Sequence, residues 1–301
     1  MDGLSLLFQM EKLLEEDTDS TFVDDRLSYQ FLNEAAIDLN RRTAALKTTQ
    51  TITTVADQTA YDIEPDFMGL HLMNSAKRYV IKYNDGSMNT YVTWKPYEEI
   101  ILADQADDTS SIPSNFTVLD NATLGSTITG SVTSDGDASG GECTLTDTGG
   151  GLSEAEAGDV VHNTTDESSG VVTSVTSDTA VKCALFGGTD DEWDNSDNYV
   201  IVPQGRYQLV LNPPTSTASH TITLYYLQRP APVYTDYARF RYPSHFMPAI
   251  VKYAAWLYKY KDSEPNYGDK WYMFYKSEAS KLANEADHVH RRKRFKVSFM
   301  A

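Results

Sequence analysis

The sequence of 301 residues has little cysteine, with only Cys143 and Cys183. Two cysteines are too few for a disulfide scaffold, and neither belongs to a C-x-x-C pair. A disulfide bond between the two is geometrically possible, but an origin in the cytosol favours free thiols. The low cysteine content therefore excludes the disulfide-rich secreted domains.

Long apolar runs are also missing. No stretch approaches 18 uninterrupted apolar residues, and Asp2 precedes the first cation, Lys12. A membrane span needs such a run, and a secretory signal peptide needs a basic start. We therefore expect a soluble protein of intracellular origin that has no membrane partner.

Positive charge is scarce in the middle of the chain. Residues 123–203 contain 15 acidic residues and one basic residue, Lys182, and so account for −14 of the formal net charge of −18. A nucleic-acid-binding face needs lysine and arginine to displace counterions. The composition thus argues against a broad nucleic-acid-binding surface.

Motifs for catalysis and metal binding are absent. None of GxGxxG, GxxxxGK[ST], HExxH or GxSxG occurs. His288 and His290 are two residues apart, so they point to different faces of a helix and suit a metal poorly. The acidic run 190–197 lacks the ligand spacing and the closing glutamate of an EF-hand loop. We predict that the protein is not an enzyme and needs no cofactor or metal.

Helical periodicity occurs only near the two ends of the chain. The predicted helices are a short one near the N-terminus and residues 24–46, 248–260 and 268–286. The first helix carries an apolar stripe made by Leu4, Leu7, Phe8 and Leu14.

Strand patterns occupy the region between these helices. Asn84-Asp-Gly is a plausible hairpin turn between strands at 79–83 and 91–94. Within 123–203, six short runs rich in valine and threonine are separated by turn clusters. This spacing indicates a small antiparallel sandwich or barrel.

Together these patterns predict an α+β fold. A helical scaffold, made of the N-terminal helices and the C-terminal helix pair, would carry an antiparallel sheet and a small inserted all-β domain. The predicted parts are residues 1–122 (helices, then strands), 123–203 (inserted acidic β-domain), 204–286 (strands, then the helix pair) and 287–301 (basic C-terminal arm).

The closing helices are dense in aromatic residues. The simpler interpretation is a core between the two helices, and part of the set must serve this role. The rings nevertheless go round more than one face of their helices, so one chain cannot cover them all. We predict a subunit interface, because tyrosine and tryptophan are typical anchors of such surfaces. The predicted interface residues are Trp256, Tyr258, Tyr260, Trp271, Tyr272 and Tyr275.

The last residues alternate cations with apolar side chains. Three interpretations compete: a loose solvated end, an arm that touches DNA, and a segment that docks on a partner protein. Cations alone would suit DNA, whereas Phe295, Val297 and Phe299 favour an extended strand added to a partner's sheet edge or groove. We favour partner docking. The predicted binding residues are Arg291, Arg292, Lys293, Arg294, Phe295, Lys296 and Phe299.

Several landmarks follow one another in a fixed order outside the acidic segment. They are DDRLSYQFLNEA from Asp24, TITTVADQTAYDIEPDF from Thr51, LNPP from Leu211, ITLYYLQRPAP from Ile222, and the segment from Tyr242 to Ala255. Taken in this order, they resemble the head-to-tail connector or adaptor proteins of short-tailed phages. The acidic segment departs from the compact family pattern and looks like one of the small β-modules embedded in phage virion proteins.

The resemblance implies a structural protein of the virion, located at the head-tail junction. Such proteins form a ring, commonly of about twelve subunits, that closes by rotation through head-to-tail contacts. The implied partners are further copies of the chain, the portal protein, and the tail nozzle or tail tube protein. Genomic DNA would pass through the channel without sequence-specific binding. The alternative is a virion-surface or tail-associated protein whose β-insert recognises a glycan or a host ligand.

Overall fold

The computed structural model describes residues 1–14, 25–73, 78–102, 110, 112–121, 126–203, 206–261 and 265–290. The chain divides into two compact units, residues 1–46 with 230–301 and residues 47–229. In their described parts, the first unit is helical and the second consists mainly of strands. We refer to the first as the helical unit.

Five α-helices occur among the described residues. They are α1 (Gly3–Leu14), α2 (Asp25–Thr43), α3 (Tyr97–Leu102), α4 (Met247–Lys261) and α5 (Pro265–His290). All except α3 belong to the helical unit. There, α2 and α4 pack on each other, and each of them also contacts both α1 and α5. The α2–α4 pair is therefore the centre of this unit.

Small side chains explain the close approach of α2 and α4. Ala35 and Ala36 on α2 and Ala254 and Ala255 on α4 are fully buried, as is Leu39. Alanine leaves room for the neighbouring backbone, while the regular spacing of apolar residues gives each helix one buried face. The predicted helices 24–46, 248–260 and 268–286 are thus confirmed as α2, α4 and α5, with shifted ends.

Side-chain hydrogen bonds hold the segment after residue 230 on α2. The amide of Asn33 donates to the carbonyl of Val233 at 2.9 Å and accepts from the N–H of Val233 at 2.8 Å. Tyr242 donates to the carbonyl of Ala36 at 2.7 Å. Buried backbone groups need hydrogen-bond partners. Because Asn33 supplies them to Val233, this segment can lie on α2 without forming a helix or a strand.

Helix α1 does not bury the whole stripe predicted for it. Its buried side chains are Leu6, Leu7, Met10 and Leu14. Leu4 and Phe8 are instead more than half exposed. The predicted stripe is therefore divided between a buried and an exposed side of the helix. This helix is apolar on two sides, and spacing alone does not decide which side packs.

Fifteen strands among the described residues form two sheets. The strands are β1 (Lys47–Thr53), β2 (Ala60–Asp62), β3 (Phe67–Leu70), β4 (Leu72–Met73), β5 (Arg78–Asn84), β6 (Asn89–Trp94), β7 (Asn115–Asn121), β8 (Ile128–Ser131), β9 (Cys143–Thr146), β10 (Val160–Asn163), β11 (Ser168–Ser177), β12 (Ala180–Phe186), β13 (Asn198–Val202), β14 (Arg206–Asn212) and β15 (Thr221–Gln228). Strands β8 to β13 form one sheet, and the other nine form the second.

The nine-stranded sheet curls until its edge strands meet. Its path is β1-β15-β5-β6-β7-β14-β2, with β3 added to β15 and β4 added to β5. The amide of Gln50 on β1 donates to the carbonyl of Asp62 at 3.3 Å and accepts from the N–H of Glu64 at 3.1 Å. One side chain therefore bridges the two edges. All pairs are antiparallel except β6 and β7, which run parallel.

The hairpin predicted at Asn84-Asp-Gly is confirmed in this sheet. Strands β5 and β6 pair as far as Asn84 opposite Asn89. The carboxylate of Asp85 accepts the N–H groups of Ser87 at 2.8 Å and Met88 at 2.7 Å. Gly86 supplies the positive φ, 91°, that the turn requires.

The prediction of a helical scaffold that carries an antiparallel sheet is wrong. The fold is mostly β, because the strands outside the acidic segment bury a core of their own. Ile81, Tyr83, Phe116, Leu209 and Ile222 are among the residues of this core. A curled sheet covers its own inner face, so it needs no helical layer to exclude water.

The second sheet forms a small barrel, which we call the six-stranded barrel. Its order is β8-β13-β10-β11-β12-β9, with antiparallel pairing throughout. The N–H of Thr133 after β8 donates to the carbonyl of Thr146 on β9 at 2.8 Å and joins the two ends. Trp193, Tyr199 and Leu145 are buried in its core. The six strands predicted in this segment are all present.

The six-stranded barrel leaves and rejoins the nine-stranded sheet at one place. Asn121 at the end of β7 is paired with Arg206 at the start of β14. The guanidinium of Arg206 lies 3.3 Å from the fully buried carboxylate of Asp159 and 3.6 Å from that of Glu156. Burial raises the pKa of Glu156, against the opposing effect of Arg206. Arg206 and the two carboxylates thus form a group of ion pairs where the six-stranded barrel joins the nine-stranded sheet.

Candidate assembly surfaces

The polar groups of the described residues form no evident reaction centre. No three or more His, Cys, Asp or Glu side chains in the described ranges are placed to hold a metal ion. Cys143 and Cys183 face each other on β9 and β12 as free thiols. Burial raises the pKa of Cys143 to about 12, so its thiol stays protonated and unreactive. Among the helices that are described, none is both long and apolar enough to cross a membrane.

A stacked group of rings, the aromatic cluster, joins α4 to α5. Its members are Tyr253, Trp256, Tyr272 and Tyr275. The rings of Trp256 and Tyr272 stack with centroids 4.5 Å apart, and those of Tyr253 and Tyr275 meet edge to face at 4.7 Å. Such ring pairs stabilise beyond their buried area.

The inner end of the cluster is part of the chain's own core. Tyr275 is fully buried, and its hydroxyl donates to the carboxylate of Asp38 on α2. Arg42 binds the same carboxylate at 2.6 Å. Burial and the bond to Asp38 both raise the pKa of Tyr275. Tyr258 is buried as well. Two of the six predicted interface residues therefore do not reach the surface.

The outer end of the cluster is accessible. Tyr260, which lies 6.2 Å from Trp256, is 64% exposed, and Phe274, which lies 6.0 Å from Trp271, is 45% exposed. The ammonium of Lys276 sits 4.7 Å from the ring of Tyr272. We define the aromatic face as Tyr260, Trp271 and Phe274 with the outer edges of Trp256 and Tyr272. These residues include the four predicted interface residues that remain available, and their role stays a prediction.

A second apolar surface, the α1 groove, lies on the first helix. It encloses about 650 Å³ and is lined by Leu4, Ser5, Leu7, Phe8, Gln9, Glu11 and Asp236. Leu4 is 55% exposed and Phe8 is 52% exposed. The apolar stripe on this helix was predicted from the sequence, but its exposure was not. The available signal was the second apolar run on the helix, Leu6, Met10 and Leu14, which is enough to fill one buried face.

The six-stranded barrel shows a different kind of surface. Between residues 126 and 203, Val175 is the only large apolar side chain that is exposed. Many carboxylates of this segment are bound to turns: Asp147 accepts the N–H of Gly149 and the hydroxyl of Tyr199, each at 2.7 Å. Asp178 accepts the hydroxyl of Ser153 at 2.7 Å. The acidic composition therefore serves the loops of the barrel.

The seven residues predicted to bind a partner through the C-terminal arm lie outside the described residues. They are Arg291, Arg292, Lys293, Arg294, Phe295, Lys296 and Phe299. The docking role of this arm stays a prediction.

Comparison with known proteins gives one family. Residues 5–136 match the model of the SU10 adaptor protein family. No curated protein matches the chain. The matched residues cover α1, α2 and the strands up to β8, and they include the landmarks that begin at Asp24 and Thr51. The resemblance to phage adaptors is thus confirmed, whereas the link to short-tailed phages is not tested. Residues 5–136 are thus similar to the SU10 adaptor proteins, a family of phage adaptors.

Proposed function

We propose that this protein is a structural head-to-tail adaptor of a phage virion that forms a ring between portal and tail and surrounds the DNA exit channel. The similarity of residues 5–136 to an adaptor family supports a virion component that associates with other virion proteins. The ring, its number of subunits, which we expect to be about twelve, and the channel are our extension of that similarity.

The observation that carries the proposal is the apolar surface left on the helical unit. The aromatic face and the α1 groove expose Tyr260, Phe274, Leu4 and Phe8, although the same helices bury a complete core beneath them. Grouped exposed apolar side chains commonly mark protein interfaces, and aromatic residues are typical of their centres. A protein with two such surfaces is suited to repeated association.

The charge of the chain supports a passive role toward DNA. The formal net charge is −18. Most of this charge, −14, lies in residues 123–203, so this segment would repel DNA rather than bind it. The same charge disfavours a role that depends on gripping the phosphate backbone.

The β-insert as a ligand-binding module is not favoured as a second function. Small-molecule sites usually combine a concave shape with apolar and aromatic lining. The large rings of the six-stranded barrel, Trp193 and Tyr199, lie in its core. We propose instead that residues 123–203 are an inserted accessory domain, supported by the pairing of Asn121 with Arg206 at its base.

The C-terminal arm supplies a prediction of its own. Deleting residues 290–301 should leave the fold and melting temperature unchanged but weaken binding to the portal protein, because the arm's cations and phenylalanines would add a strand to the partner. Binding can be measured by surface plasmon resonance against the full chain. Equal affinities for the two forms would contradict the docking role.

The proposal as a whole is tested by assembly. Native mass spectrometry and negative-stain electron microscopy of the purified chain, alone and with its portal protein, should show a closed ring in at least one of the two samples. A chain that stays monomeric in both and does not bind the portal would overturn the proposed function.

A further inference from the structure

We propose that the α1 groove of one copy receives the aromatic face of the next copy, so that these two surfaces together form the repeated contact of the ring. This inference rests on the proposed function and adds to it the identity of both halves of the interface. The occupant of the groove is thus a second copy of this chain, specifically its α5 helix.

The first argument is the position of the two surfaces in the helical unit. Helices α1 and α5 each pack on the central α2–α4 pair, and neither packs extensively on the other. They therefore lie on different sides of the pair. A ring built from identical subunits needs two different patches on different sides of each subunit, because its contacts are head to tail. One patch alone would give only a closed twofold dimer.

The second argument is complementarity of shape and chemistry. The α1 groove is concave, with Leu4 and Phe8 at its exposed edge. The aromatic face offers protruding side chains, since Phe274 and its neighbour Met273 are both exposed. Bulky apolar anchors that enter a pocket are the usual centre of a protein interface.

The third argument is charge. The α1 groove is lined by two carboxylates, Glu11 and Asp236, against one nearby cation, Lys12, whose ammonium lies 5.4 Å from the ring of Phe8. The border of the aromatic face has an excess of cations: Lys270 and Asp269 are exposed about one helical turn before Phe274, and Lys276 lies over the ring of Tyr272. Opposite charges around an apolar centre set the orientation of two partners and disfavour wrong pairings.

Disulfide trapping tests this pairing. One batch of the full chain carries Phe8→Cys and a second carries Phe274→Cys; the native Cys143 and Cys183 are buried in the barrel and give a low background. Mixed rings, exposed to a mild oxidant, should yield covalent dimers that contain one chain of each batch, because facing cysteines bond when their Cα atoms come within about 7 Å. A chain with both substitutions should give a ladder of covalent oligomers.

The controls separate this inference from the proposed function. Each batch alone should give no dimer, and Glu34→Cys, an exposed position on α2, should not bond to Phe274→Cys. Rings without the mixed dimer would overturn the pairing and leave the proposed function standing. Dimers within the Phe8→Cys batch alone would show a twofold contact and also overturn the pairing. An unsubstituted full chain that forms no ring, alone or with its portal protein, would remove both.

Discussion

The helical unit and the six-stranded barrel differ in how completely they bury their apolar side chains. The barrel joins its own edges through Thr133 and Thr146 and exposes only Val175 among its large apolar side chains. The helical unit completes a core between α2 and α4 and still leaves Tyr260, Phe274 and other apolar side chains in contact with solvent. The closed barrel needs no partner to cover its apolar side chains, whereas the helical unit retains exposed apolar surface that a partner would bury.

This contrast separates two roles that composition alone does not distinguish. Acidic loops account for most of the net charge, but the structure uses many of those carboxylates to hold turns. The aromatic residues are fewer than the acidic ones, yet they form the exposed apolar surface that we propose for association. The proposed assembly contacts therefore follow exposed apolar area rather than charge.

The largest expected effect is Gly170→Ala in the barrel. A Cβ at this position would lie 1.6 Å from the carbonyl oxygen of Ala184 on the neighbouring strand. Since backbone cannot move aside cheaply, we expect a loss of about 3 kcal/mol in the free energy of unfolding of the barrel. Urea unfolding followed by the reactivity of Cys143 and Cys183 measures it. Gly69→Ala, in open space on β3, is the control and should change little.

The assembly of the Gly170→Ala protein then tests the contrast between the two regions. If the barrel is accessory, a chain with a weakened barrel still forms rings. Loss of rings in this variant, with intact rings in the Gly69→Ala control, would show that assembly depends on the barrel. It would contradict the claim that only the helical unit carries the assembly contacts.

A smaller effect is expected at the junction of the barrel. Arg206→Met should cost about 2 kcal/mol, because the buried Asp159 loses its cation while keeping the N–H bond from Glu156. Lys182→Met removes an exposed ion pair with Glu142 and should cost less than about 1 kcal/mol. Thermal unfolding of both variants at the same pH measures the difference. Equal losses would show that burial of Asp159 does not matter.

The smallest effect distinguishes the inner from the outer end of the aromatic cluster. Tyr275→Phe should cost about 1 kcal/mol, because Asp38 loses one of its hydrogen bonds in a buried site. Tyr260→Phe, at an exposed position, should leave the free energy of unfolding unchanged. Denaturant titration of the two variants gives both values. A loss at Tyr260 as large as that at Tyr275 would mean that the two ends are equally buried.

Local pattern predicted the individual elements of this chain well. The helices from Asp25 and Met247, the Asn84-Asp-Gly hairpin and the six barrel strands all follow from periodicity and turn chemistry, which depend on neighbouring residues. The overall class was wrong, because curling of the nine-stranded sheet depends on contacts such as the bridge from Gln50 to Asp62. Such contacts join distant residues and leave no periodic signal.

The candidate surface was predicted only in part. Aromatic density indicated α4 and α5, but spacing did not show that Tyr258 and Tyr275 turn inward toward α2. The α1 groove was missed because Leu4 and Phe8 look like core residues until Leu6, Met10 and Leu14 are seen to fill that place. Burial is a property of the packed unit, so sequence patterns alone do not assign it.

The central claim is that the helical unit, and not the six-stranded barrel, carries assembly. Because Asn121 and Arg206 are paired neighbours, residues 122–205 can be replaced by a two-residue Asn-Gly turn that joins β7 directly to β14. Electron microscopy of this shortened chain with the portal protein should show rings of the same subunit number as the full chain. A shortened chain that folds but stays monomeric, while the full chain forms rings, would contradict the claim.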